Sequence, residues 1–202
     1  MLIINLPCCE FSYKILLKTS VIILLISSSC DNGYIPKPYA YFRIDLPEKQ
    51  YRRFDSIFPY SFEYPVYARI VPDRSPNKDK YWINIEFPRF KGKLYISYKV
   101  VNNNLVSYLE DSRNLAIKHI PKANAINEIL FINKAADVYG LIYEIKGSGA
   151  ASPYQFYVTD STDNFVRGSL YFYVTPNNDS LAPVIDFIYK DIEHMINTFE
   201  WR

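Results

Sequence analysis

The chain has 202 residues, 49% of them hydrophobic and 22% charged, with a formal net charge of +2. That suits one globular domain able to bury a core without disulfide or metal staples, and it excludes a disordered chain. Lys and Arg are scattered rather than clustered, so nucleic acid is not an expected partner. With 19 Tyr and 13 Phe but only 6 Gly, the composition leans towards β structure.

The three cysteines, Cys8, Cys9 and Cys30, all lie in the first 30 residues. The rest of the chain therefore holds neither a thiol pair nor a zinc constellation. Lys14 and Lys18 precede an apolar run, Val21 to Ile26, and Ser27, Ser28 and Ser29 lead into Cys30. Positive charge, a short apolar stretch and small residues ending on a cysteine form a lipoprotein-type secretory signal, residues 1–29. The apolar stretch is too short for a transmembrane anchor, which needs roughly 20 residues. Cys30 is the expected lipid-bearing residue, although Ser27 stands where a strict lipobox carries Leu. With each buried CH₂ contributing about 0.8 kcal/mol, two or three acyl chains hold a protein on a membrane effectively permanently. Residues 1–13 precede the usual start of such a signal and read as a start placed too early.

Residues 30–50 carry Pro36, Pro38 and Pro47 and read as the lipidated cysteine and an extended tether, with a globular domain over 51–202. Strands are predicted at Tyr60–Tyr64, Tyr81–Phe87 and Lys93–Val100, the second and third with clean period-2 alternation. The spacing then turns helical. Leu105, Tyr108, Leu109, Ser112, Leu115, Ala116, His119 and Ile120 form one face after the capping residues Asn103 and Asn104, until Pro121 stops the helix. Four more strands are predicted: Ala125–Ile132, Val138–Lys146, Pro153–Thr159 and Phe165–Thr175. After the turn at Pro176–Ser180 comes a helix with Pro183 in its first turn and an apolar stripe of Val184, Ile185, Ile188, Ile192, Met195, Ile196 and Phe199. Strands, helix, strands, helix with short links make an α+β domain: a mostly antiparallel sheet packed with two main helices.

Residues that could carry chemistry are few. His119 and His194 are read as packed or surface histidines. Asp160 and Ser161 could be imagined beside either in a hydrolase, but no nucleophile-elbow motif supports that, and Thr159–Asp163 reads as a hairpin turn. The glycine-rich stretch Gly147–Ser152 is followed by Pro153 and a strand, so it lacks the helix start that a phosphate loop needs. No metal-ligand spacing, catalytic carboxylate pair or cofactor fingerprint stands out. The chain is read as a non-enzyme without cofactor or metal. Asp111, Arg113, Asp160 and Arg167 are the candidate contacts with a protein partner, since polar turns and Arg-Tyr strand faces suit recognition.

Several segments, taken together, resemble the gliding motility lipoproteins of the GldD family. They are Tyr41–Pro47, Tyr60–Pro65, Glu110–Arg113, Lys118-His119, Thr159–Thr162, Arg167–Phe172, Asp179–Pro183 and Thr198–Arg202, in order along nearly the whole chain after Cys30. The chain departs from the family's pattern at Pro121 and in its extra N-terminal residues. The resemblance implies a lipid on Cys30, a place in the cell envelope with the domain outside the cytoplasm, and a part in gliding and type IX protein secretion through contacts with other envelope proteins. It supplies no catalytic residue. At the level of architecture the chain is also similar to PsbP/Mog1-like sandwiches. Two other readings stay open: a periplasmic small-molecule binding domain with a tyrosine-lined pocket, and an envelope hydrolase.

Overall fold

Alternation along the central segments decides the architecture, because every second residue must find an apolar partner on one face. The computed structural model describes residues 44–76 and 79–202. The chain divides into compact units Met1–Ala40 and Tyr41–Arg202, and the described residues belong to the second. The predicted signal, Cys30 and the tether up to residue 43 lie outside the described residues.

The elements run β1 (Tyr51–Phe54), β2 (Tyr60–Pro65), β3 (Arg69–Pro72), β4 (Ile83–Phe87), β5 (Gly92–Val100), α1 (Leu105–Ile117), β6 (Ala125–Asn133), β7 (Val138–Lys146), β8 (Tyr154–Thr159), β9 (Asn164–Phe172), α2 (Asn178–Asn197) and β10 (Glu200–Trp201). Short 3₁₀ turns follow β4 at Pro88–Phe90 and α1 at Ile120–Lys122. The strands form a seven-stranded sheet in the order β3-β4-β5-β9-β8-β7-β6 and a three-stranded sheet β1-β2-β10. All pairings are antiparallel. The α+β architecture read from the sequence, two helices on a mostly antiparallel sheet, is the one observed.

The large sheet's inner face supplies the core. Ile83, Ile85 and Phe87 of β4, Leu94 and Ile96 of β5, Leu170 of β9 and Phe156 and Val158 of β8 are nearly fully buried. Against them lies the stripe of α2, with Val184, Ile185, Ile188, Ile192, Met195 and Ile196 buried. Tyr60 and Phe62 of β2 close the same core, stacked on Phe199 at 5.7 and 6.1 Å. Gly168 is required on this face because a Cβ there would stand 2.1 Å from a ring carbon of buried Phe156.

The structure shifts some boundaries, each for a local reason. Tyr81 sits at φ 69°, a left-handed conformation that an extended strand cannot hold, so β4 starts at Ile83. The Tyr81 carbonyl instead accepts from the Tyr60 hydroxyl at 2.7 Å. Helix α1 ends at Ile117, and Pro121 belongs to the separate 3₁₀ turn. Asn104 is the residue before α1, but its side chain accepts from the Asn102 amide rather than from a helix N–H. Helix α2 starts at Asn178 with Asn177 capping the Ser180 amide, so Pro183 falls in its second turn and leaves the Asp179 carbonyl without its usual donor.

Candidate functional site

The outer face of the large sheet is built by the alternate residues of the same strands. Register places Gln155, Ser169, Tyr95 and Asn84 in one row across β8, β9, β5 and β4. A second row aligns Tyr157, Arg167 and Ser97. Helix α1 covers the β7–β9 side of this face and buries only Ser112 and Ala116. Ala116 packs with Tyr143, Ile145 and Ala150 in a small second cluster. Burial pushes the Tyr143 hydroxyl up to about 12, with Tyr157 and Glu128 adding to the shift.

The β3–β5 side of the face is left open. There a groove of ≈ 460 Å³ is lined by Asp73, Trp82, Asn84, Lys93, Tyr95 and Arg167 among others. Arg167 donates from Nη2 to Gln155 Oε1 at 2.5 Å, and burial pulls its guanidinium below its usual value. Lys93 lies 3.4 Å from Glu86, which Arg69 also holds at 2.8 Å. Burial pushes the Asp73 carboxyl up, but donors from Ser75 and Asn84 outweigh it and hold the group below its usual range. The Ser75 amide reaches Asp73 at 2.6 Å.

The candidate contact residues are not gathered in one place. Asp111 and Arg113 are both exposed on α1. Arg113 lines a second groove, ≈ 370 Å³, between α1 and β6–β7, with Ile117, Ile120, Ile126 and Glu128. Asp160 lies at the β8–β9 turn, where its Oδ1 accepts from the amides of Thr162, Asp163 and Asn164 at 2.8–3.0 Å. It also borders a third cavity, ≈ 660 Å³, with Asp137, Glu200 and Trp201. Arg167 lies in the open groove of the outer face, bonded to Gln155, whose register partner Tyr143 lines the Arg113 groove.

Among the described residues, neither histidine meets a serine and a carboxylate together. His194 Nε2 is 2.6 Å from Glu63 Oε2 and its ring stacks on Tyr51 at 3.7 Å. His119 follows α1, and burial, with Arg167 nearby, lowers its pKa. Ser161 sits in the turn at φ 70°, its amide bonded to Thr159 Oγ1. Among the described residues no group of His, Cys, Asp and Glu is spaced to hold a metal. Nor, among them, is any helix long and apolar enough to cross a membrane.

One centre escaped the sequence reading. Asp191 is almost fully buried on α2 and collects Lys49 Nζ at 2.5 Å, the Tyr51 hydroxyl at 2.9 Å and the Tyr67 hydroxyl at 2.5 Å. Lys49 also donates to the Phe187 carbonyl at 2.9 Å and lies over the Phe187 ring. Burial first, then the hydrogen bond to Asp191 and its charge, push the Tyr51 and Tyr67 hydroxyls well above the usual phenol range. The segment entering the domain is thereby fastened to its last helix. The signal was present in the sequence: position 191 falls on the buried stripe between Ile188 and Met195.

The large sheet and its C-terminal helix invite comparison with known proteins. No curated protein matches the chain. Among solved structures, the solution structure of cyanobacterial PsbP (CyanoP) from Synechocystis sp. PCC 6803 aligns with 80% of this chain and 98% of its own, at 11% identity and a TM-score of 0.45. A likeness at that level carries no argument about function. The family described as gliding motility lipoprotein GldD matches residues 31–201, nearly everything after Cys30. With that span matched from tether to last strand, the chain belongs to the GldD family of gliding motility lipoproteins.

Proposed function

We propose that this chain is a lipid-anchored accessory of the gliding and type IX secretion apparatus, held in the cell envelope by Cys30 with its domain on the periplasmic side. It acts through contacts with other envelope proteins rather than by catalysis. The observation that carries this reading is an apolar surface beside α1. Ile120, Leu130 and Ile132 are each more than half exposed, with Ile117 partly so, on the face of the groove that holds Arg113 and Glu128. β6 is also the edge of the large sheet, nine residues long without Pro or Lys, and among the described residues no strand pairs with its outer side. Exposed apolar residues rimmed by charges, next to an unpaired strand edge, suit a protein partner. Arg113 on α1 and Glu128 on β6 supply the charged rim, while Asp111, two residues from Arg113, faces another side of the helix. Asp160 is occupied within its own turn, and Arg167 lies in the separate groove.

The test is a clean deletion strain complemented with the full chain. Wild type is compared with a chain carrying Leu130→Lys and Ile132→Glu, and with one carrying Asp111→Arg and Arg113→Glu. All four positions are solvent-facing, so the variants are expected to reach wild-type abundance. The expected result is loss of type IX cargo secretion and colony spreading at equal protein level. Full rescue by both variants rejects this contact surface.

A further inference from the structure

The open groove on the outer face contains a cation without a counter-ion. Arg167 makes no ion pair among the described residues, and its hydrogen bond goes to a neutral amide, Gln155. Two nearly buried polar atoms on the same face are also without partners: Asn84 Oδ1, on a residue 3% exposed, and Gln155 Nε2, on a residue 1% exposed. They stand at opposite ends of the Gln155–Ser169–Tyr95–Asn84 row, and Asn84 and Arg167 line the same cavity. Leaving buried polar groups unpaired destabilises a fold, and apolar residues of similar size would cost less. Natural chains keep such groups where a ligand completes them.

The charges in the groove say which ligand. Lys93 is already paired with Glu86, and the buried Asp73 carboxylate offsets Arg74, the exposed cation that also lines the groove. One uncompensated guanidinium therefore matches a single negative charge, and a phosphate dianion beside Asp73 would be repelled. A planar carboxylate fits the guanidinium fork. Asn84 turns its amide towards Asp73, which leaves Oδ1 as an acceptor waiting for an N–H. Trp82 and Tyr95 supply aromatic walls, and ≈ 460 Å³ is within the range of small-ligand sites. We propose that this groove binds an amino acid or the end of a peptide, its carboxylate on Arg167 and its N–H on Asn84 Oδ1. The site is independent of the apolar surface at β6.

Trp82 provides the readout. The sequence has 2 Trp, so Trp201→Phe in the full chain, purified in detergent, leaves Trp82 as the only indole. Its fluorescence is titrated with L-glutamate, the dipeptide Ala-Glu, succinate and inorganic phosphate. Saturable change is expected with glutamate and Ala-Glu, with succinate about tenfold weaker because it has no N–H for Asn84. Tighter binding of glutamate marks a free amino acid as the ligand, and tighter binding of Ala-Glu marks a peptide end. Arg167→Met is expected to abolish binding with the melting midpoint unchanged or raised, since it removes an unpaired buried charge. Should that variant not fold, Asn84→Leu serves instead and is expected to erase the preference for glutamate over succinate. The proposal is overturned by no saturation with any carboxylate at millimolar concentration, by phosphate binding more tightly than glutamate, or by Arg167→Met binding like wild type.

Discussion

The two α-helices of the described residues pack on opposite faces of one sheet and differ sharply. Helix α2 is 20 residues long and buries seven side chains, six of them apolar, against the inner face. Helix α1 is 13 residues long and buries two small ones, Ser112 and Ala116, on the outer face. Burial is what stabilises a helix in water, at about 25 cal/mol per Å² of apolar surface removed. The inner face therefore holds the fold together. The outer face, with its open groove and unpartnered polar atoms, is free to be shaped for recognition.

The sharpest way to break this contrast is truncation on each helix. Ile192→Ala, on a residue 1% exposed, is expected to destabilise the domain by about 3–4 kcal/mol, whereas Val106→Ala on α1 should stay within about 0.5. Chemical denaturation of both variants checks this, and equal losses would remove the distinction. Next in size is the fastening at Asp191. Asp191→Ala strands Lys49 and two tyrosine hydroxyls, and is expected to cost about 3 kcal/mol. The loss should be accompanied by faster proteolysis near Lys49. Gly168→Ala follows, because Phe156 has no room to yield to a new methyl group. A cost of about 2 kcal/mol is expected by thermal unfolding.

The smallest effect belongs to the β8–β9 turn. Asp160→Ala removes an acceptor serving three amides and should cost about 1 kcal/mol. Burial pushes the Asp160 carboxyl up, but hydrogen bonds from Asn164, Thr162 and Asp163 bring it below its ordinary 3.8. A group with a lowered folded pKa stabilises fully above its unfolded value and loses that contribution as pH falls through the folded value. The gap between wild type and Asp160→Ala in a denaturant titration is therefore expected to be full at pH 7 and to shrink below pH 3.8. A gap independent of pH would mean the carboxylate charge plays no part.

The same contrast explains what the sequence made legible. The inner face could be read because alternation in β5 and the α2 stripe are dictated by one continuous core. Elements with little burial gave no such pattern. β1 and β3 are four residues each and bury no residue fully, and β10 has two residues, so none was predicted. Helix α1 showed helical spacing, but Leu115, which the spacing placed on the packed face, is 36% exposed because the helix covers only part of the outer face. The groove was harder still. Asn84 looked like an ordinary outward residue of an alternating strand, and only the neighbouring strands and the Asp73–Ser75 loop bury it. Arg167 was singled out from the sequence as a partner contact, but its place in one groove with Asn84 and Asp73 depends on sheet order, which periodicity does not reveal. Cys30 was singled out from its local signal alone and lies outside the described residues.

The most direct test of the lipid-anchored role is a clean deletion strain complemented with wild type and with Cys30→Ala, scored for secretion of a type IX cargo and for colony spreading. The expected result is loss of both in the deletion, both restored by wild type and neither by Cys30→Ala. Normal secretion and spreading in the deletion strain, or full rescue by Cys30→Ala, would contradict it.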